Sequence, residues 1–307
     1  TLMRSSAASD VYKRQVYTPM VERPEKEYTF EEAKEIVKRG LAPLGEDYQA
    51  LLQEGFDNRW IDVYENEGKR TGAYSWGAYG THPYVLLNYN NTLNNVFTLA
   101  HEMGHALHSW HSDHAQNYLN AGYRIFVAEV ASTCNEALLI HDLMDRTQDE
   151  TEKKYLINYF LEQFKSTMFR QTMFAEFEMI THSIVEKGGM LTAEQICSIY
   201  KELNEKYFGE DMISDPEIAY EWARIPHFYT PFYVYQYATG FAAAIAISSK
   251  ILSGEPGIVE KYKQFLSGGC SQDPIDLLKI CGVDMSAPEP VEEALQVFAQ
   301  YLDQMEA

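Results

Sequence analysis

Basic residues are scarce. Against 45 Asp and Glu, the 307 residues include 25 Lys and Arg, a formal net charge of −20. Phosphate backbones are bound by clustered Lys and Arg, so nucleic acid is excluded as a partner class. Cysteine is rare too: Cys134, Cys197, Cys270 and Cys281 are the four, and no two form a C-x-x-C pair. That spacing excludes a zinc knuckle and a disulfide framework. It leaves free, mostly buried thiols of a reducing compartment, so the expected location is cytoplasmic. Long apolar runs are missing as well. The nearest, Tyr237 to Ile247 (YATGFAAAIAI), falls short of the roughly 18 residues a membrane span needs and reads as a buried helix. No internal repeat or low-complexity tract breaks the chain.

Apolar residues make up 46% of the sequence, enough to bury a sizeable core. Aromatic content is high, with 22 tyrosines. Most suit half-buried packing positions, and such amphipathic rings also suit the walls of a wide cleft. The first residues stand apart. Ser5 to Gln15, SSAASDVYKRQ, resembles the in-frame translation of a transposase adapter, so residues 1–15 are set aside as carrying no fold information and the native N-terminus is expected to lie elsewhere. Residues 16–307 are the unit to be explained.

Helix dominates that unit. Thr29 with Glu32 three residues on forms a capping-box pattern, followed by Ala33, Ile36 and Val37 at helical spacing. A second helix follows Pro43 through Tyr48, Leu51 and Leu52. Further helices are expected over about 92–112, 124–144, 150–187, 192–207, 233–253, 258–266, 274–281 and 290–305. The stretch from Gly72 to Asn90 differs. Gly72, Gly77, Gly80 and Pro83 exclude a regular helix, and Tyr84 to Tyr89 (YVLLNY) has the composition of a strand. It reads either as an edge strand able to pair with an extended peptide, with Gly77 and Tyr79 among the contacts, or as an ordinary hairpin beside the core.

Next comes His101-Glu102-Met103-Gly104-His105. At about 100° per residue, positions i and i+4 of a helix lie about 40° apart, so both imidazoles can face one ion. Glu102 falls on the flank of that face, within reach of a water. This H-E-x-x-H pattern has the mechanics of a zinc hydrolase. A catalytic zinc takes three protein ligands and keeps one position open. His111 sits where the metzincin pattern H-E-x-x-H-x-x-G-x-x-H puts its last ligand. That pattern needs glycine where this chain has His108, and on an unbroken helix His111 points about 80° away from His101. The better third ligand is Glu129, in FVAEVAS, because a carboxylate is costly on so apolar a helix face unless a partner or metal holds it. Ala128, Ala131 and Ser132 would let that helix lie close to the metal helix. Glu136, two turns on, is placed to orient a ligand imidazole. His108 reads as a packed histidine near the site, and His111 and His114 as surface residues.

Together HEMGH, FVAEVAST, the upstream GAYSWGAYGTHPY and the downstream IPHFYTPFYVYQYATG resemble the oligoendopeptidase F family of thimet-oligopeptidase-like zinc metallopeptidases. The resemblance covers residues 16–307. It implies a mainly α, zincin-like catalytic domain with a small β-sheet beside the metal helix, one Zn²⁺ per chain, oligopeptide substrates and cleavage of internal peptide bonds. It further implies that the N-terminal half of the family fold is not part of this sequence. His101, His105 and Glu129 match the metal ligands and Glu102 the general base. His227 matches a histidine that, with one or more tyrosines, contacts substrate and steadies the reacting carbonyl. Tyr229, Tyr233 and Tyr235 are the tyrosine candidates, Tyr235 as the catalytic one and the other two as peptide contacts. Two other readings stand beside it: a non-catalytic peptide-binding fragment, and a dipeptidyl carboxypeptidase, which also carries HEMGH but fits the other motifs poorly. Neither nucleic acid nor membrane is an expected partner, and the oligomeric state is not legible.

Overall fold

The computed structural model describes residue 21 and residues 26–306; the segment 1–15, read above as an adapter remnant, lies outside the described residues. The chain enters through α1 (Phe30–Gly40), where Thr29 and Glu32 form the expected capping box. After a 3₁₀ turn at Ala42–Leu44 comes α2 (Glu46–Asp57). Three short strands follow: β1 (Ile61–Asp62), β2 (Tyr74–Trp76) and β3 (Tyr84–Leu86).

Their order in the sheet is β1-β3-β2, with β1 parallel and β2 antiparallel to β3. The expected edge strand is therefore central. Val85 and Leu87 donate their N–H groups to Trp60 and Asp62 on one side, and β2 covers the other. A strand with both neighbours present has no free row of backbone groups for a peptide. The sheet's two edges are β1 and β2 instead, and Trp76 stands 70% exposed on β2.

The metal motif lies in α3 (Leu93–Ala115), capped by Thr92, whose side chain accepts from the Asn95 N–H while the Asn95 side chain accepts from the Thr92 N–H. Adjacent in the chain, α4 (Ile125–Arg146) packs along α3 through small residues. Next, α5 (Glu150–Gln163) and α6 (Arg170–Glu186) run on through a π-helical turn at Phe164–Phe169, so the single helix expected over 150–187 carries a widened turn. Such turns recur at functional sites because they re-aim side chains from the regular spacing. After α7 (Ala193–Phe208), 3₁₀ turns at Pro216–Arg224 and Pro226–Tyr229 lead to α8 (Tyr235–Leu252). The chain closes with α9 (Ile258–Leu266), α10 (Pro274–Ile280) and α11 (Glu289–Glu306).

Two separate apolar cores hold these elements. The larger joins α1 to α5 with α8 to α11 and includes Val96, Leu99, Met103 and Leu107 of the metal helix. Full burial of each such side chain contributes roughly 1.5–3 kcal/mol. The smaller gathers Met173, Phe174 and Phe177 of α6, Tyr200 and Leu203 of α7, and Ile225 and Val234 of the turns before α8. All four cysteines are free thiols, Cys134 and Cys281 buried and the other two half-buried. No helix of the described residues is long and apolar enough to cross a membrane.

Candidate active site around a metal centre

Small residues bring the metal helix and its neighbour together. A Cβ on Gly104 would lie 2.6 Å from the Ser132 Cα and 2.8 Å from the Ala131 carbonyl oxygen, so only glycine permits this crossing of α3 and α4. Asn135 pins it: the buried side chain donates to the Ala100 carbonyl at 3.0 Å and accepts from the Tyr48 hydroxyl at 3.1 Å. Ala100 is the residue before His101. The fit on the far side of α4 is looser, with a Cβ on Gly240 of α8 meeting the Glu129 Cβ at 3.7 Å.

The crossing gathers three donor atoms. His101 Nε2 lies 3.1 Å from His105 Nε2 and 3.4 Å from Glu129 Oε2, and His105 Nε2 lies 3.5 Å from the same carboxylate oxygen. Tetrahedral ligand bonds of about 2.05 Å put their donor atoms about 3.3 Å apart. The triangle therefore fits a tetrahedral divalent cation of the kind that accepts two imidazoles and a carboxylate. Among the described residues these three are the group that could hold a metal. None of the three is fully buried, which leaves a fourth direction open.

Hydrogen bonding sets the protonation of the site. Glu136 Oε1 accepts from His101 Nδ1 at 2.5 Å, which turns Nε2 toward the centre of the triangle, where a bound cation would take the place of its proton. Burial alone would lower the His101 pKa, but the Glu136 and Glu129 carboxylates outweigh it and hold it well above the usual histidine value. For Glu129, burial would raise the pKa, and the hydrogen bonds and charge of His101 and His105 hold it well below the carboxylate range. Glu102 is different. Its side chain is 6% exposed, one carboxylate oxygen is buried with no hydrogen-bond partner, and burial pushes its pKa up. A buried, unpartnered oxygen next to a metal triangle is a proton acceptor without a competing partner.

Beside the triangle opens a cavity of about 320 Å³ between α3, α4, α5 and α8, with His101 and Glu129 in its wall. The rest of its lining mixes apolar side chains such as Phe97, Ile140, Phe160 and Phe241 with the hydroxyls of Thr133, Tyr159, Thr167 and Tyr237.

A model of peptidase family M3 matches residues 9–297. The chain belongs to this family. It is 53% identical over 297 residues to oligopeptidase PepF of Bacillus subtilis, covering 97% of this chain and 44% of that protein. The crystal structure of a Chlamydophila abortus protein superposes with a TM-score of 0.87 at 43% identity, over 94% of this chain and 49% of that one. That of oligoendopeptidase F from Enterococcus faecium does so with a TM-score of 0.70 at 36% identity, over 97% and 48%. This M3 chain spans about half the length of the relatives it matches.

In the M3 chain His101, Glu102, His105, Glu129 and Glu136 come together on α3 and α4. His108 is a buried packing histidine: its ring stacks on Tyr123 with centroids 3.7 Å apart, and burial takes its pKa down to about 3. His111 is not a surface residue. It is partly buried beside Tyr48, and its Nε2 is enclosed without a hydrogen-bond partner. His114 is exposed, as expected.

The downstream motif is brought to the same side of the M3 fold. His227 is exposed, its ring 5.5 Å from that of Tyr233 and 6.1 Å from that of Tyr237, with Tyr233 and Tyr237 5.6 Å apart. Tyr237 then reaches the metal cavity. Tyr235 does not line that cavity; it is 39% exposed and turns toward Phe126, and Tyr229 is 86% exposed. The missed tyrosine had a signal. Tyr237, Phe241 and Ile245 recur every fourth residue and all line the cavity, which is one face of a helix, whereas Tyr235 is about 200° around the axis from Tyr237. Reading the tyrosines as an alternating row hid that period.

Gly77 lies one helical turn from the triangle and Tyr79 farther along the same helix. A Cβ on Gly77 would meet the Ser109 Cβ at 2.6 Å, so this glycine lets the loop after β2 lie against α3. The Tyr79 hydroxyl donates to the Gln116 carbonyl at the end of α3. At 1.5 Å per residue, Gln116 is about 16 Å along the axis from His105.

Proposed function

We propose that this chain carries the catalytic machinery of a zinc-dependent endopeptidase that hydrolyses internal bonds of oligopeptides. The observation behind the reading is the donor triangle of His101, His105 and Glu129 with the unpartnered Glu102 carboxylate beside it. Zinc, when bound there, supplies Lewis acidity: it polarises a carbonyl and makes water deprotonatable near neutral pH. Glu102 takes the proton from the attacking water and passes it to the leaving amine; its raised pKa suits both steps. Glu136 holds His101 in one tautomer and ring orientation. Tyr237, on the cavity wall, and His227 donate hydrogen bonds to the carbonyl oxygen as charge develops on it. The free edge of β2 aligns the peptide backbone, and Tyr233 and Tyr229 line its approach.

Cleavage of a quenched-fluorescent oligopeptide tests this. Turnover should vanish on chelation and return with zinc, and Glu102→Gln should keep stoichiometric zinc while losing about 10²–10⁴ in rate. Intact peptide in every arm would leave a peptide-binding protein. Products that are only C-terminal dipeptides would reassign the chain to the dipeptidyl carboxypeptidases, and internal cuts support the endopeptidase.

A further inference from the structure

The turn that joins the second core to α8 is under backbone strain. Phe232 sits at φ +59°, in the left-handed region, where a bulky side chain is a genuine outlier. Conformations of this kind are costly and persist only where the surroundings over-determine them. Here the surroundings come from α6. The Phe232 N–H donates to Glu178 Oε1 at 2.9 Å, and the Phe232 ring lies 4.8 Å from that of His182, one helical turn further on.

Glu178 is an unusual residue for its place. Only 3% exposed, it is a direct chain neighbour of Phe177, one of the aromatic residues of the second core. Its other oxygen, Oε2, is buried with no hydrogen-bond partner. Among the described residues, the ionisable neighbour acting on it is His182, while burial raises its pKa. A buried carboxylate this poorly compensated is expensive, and packing alone would favour an apolar residue. What the carboxylate does make is the bond to the strained turn.

That turn separates the elements of the downstream motif. On one side lies His227 in its 3₁₀ turn; on the other Tyr233 and the first turn of α8, with Val234 buried as the anchor. The His227 and Tyr233 rings, 5.5 Å apart, face each other across it. We infer that Glu178 is a positioning residue: by accepting the Phe232 N–H it locks the Pro231–Phe232–Tyr233 turn and so sets His227 and Tyr233 for the peptide. The inference rests on the proposed role of His227 and Tyr233 in holding substrate.

Three variants test it. Glu178→Ala should lower kcat/KM by about tenfold or more, through kcat where His227 is displaced and through KM where Tyr233 is, while leaving zinc content unchanged. Glu178→Gln keeps an oxygen for the same N–H and should stay within about twofold of the parent kcat/KM. Adding Phe232→Gly to Glu178→Ala should recover part of the loss, because glycine adopts φ +59° without strain. Hydrogen exchange at the Phe232 amide, read on the same proteins, should be slow in the parent and Glu178→Gln and fast in Glu178→Ala. Unchanged exchange and unchanged kcat/KM in Glu178→Ala would overturn the inference, as would Glu178→Gln as damaged as Glu178→Ala. If the parent cleaves no peptide, the proposed function fails and the exchange measurement alone decides the clamp.

Discussion

The two halves of the candidate site are built in opposite ways. His101, Glu102, His105, Glu129 and Glu136 stand on two long helices of the larger core, locked by a glycine against a backbone and by one buried asparagine. His227 and Tyr233 stand on turns over a smaller core, held by one carboxylate against a strained peptide. Donor atoms of a metal must keep their spacing to a few tenths of an ångström, and a helix pair packed through small residues supplies that rigidity. Groups that meet a variable peptide need a defined direction but not the same stiffness, and turns on a rigid scaffold suffice. Tyr237 bridges the halves, because it begins on the helix that reaches from one core into the other.

That bridging role gives the largest contrast. Tyr237→Phe should cost about 10²–10³ in kcat with zinc retained, as loss of one oxyanion donor does, whereas Tyr235→Phe should leave turnover within about threefold. Equal losses at both positions, read in steady-state kinetics, would dissolve the distinction between cavity wall and surface.

Rigidity of the metal half is tested by Gly104→Ala. The added methyl has backbone within 2.6 Å and nowhere to go, so α3 and α4 must part. Stability should fall by about 1–3 kcal/mol and zinc affinity with it. Denaturant unfolding with and without zinc measures both, and an unchanged midpoint would refute the close crossing.

The smallest effect lies in the second core. Glu221 is buried there, with Tyr200 and Arg170 both at 2.6 Å and Arg224 alongside. Burial would raise its pKa, but the hydrogen bonds from Tyr200 and Arg170 and the arginine charges bring it below the ordinary 4.5. A depressed carboxyl pKa stabilises the fold above the unfolded value, and that contribution disappears as pH falls through the folded one. Glu221→Gln should therefore be less stable than the parent at pH 7, with the gap closing below about pH 4.5. Trp222 emission during denaturation at both pH values reads it, and a gap independent of pH would contradict the ion-pair account.

Much of the metal half was legible beforehand because its information is local. The capping residue Thr29, the i, i+4 spacing of His101 and His105, and a lone carboxylate among alanines each follow from helix geometry and the cost of burying charge. Where the sequence left a choice, packing decided. Tyr84–Leu86 forms the hairpin with Tyr74–Trp76 that was one of its two readings, and Ile61–Asp62 closes its other side. Tyr237 rather than Tyr235 faces the cavity because the helix begins there and the period is four, not two. His111 was enclosed by Tyr48 from another helix. Local patterning, then, determined which residues could bind a metal and move a proton. Which carboxylate steadies the turn opposite was decided only when segments more than fifty residues apart packed together, as Glu178 and Phe232 do across a separation of 54. Pairing of that kind depends on shape and burial across the fold, and neither is written in the spacing of a single segment.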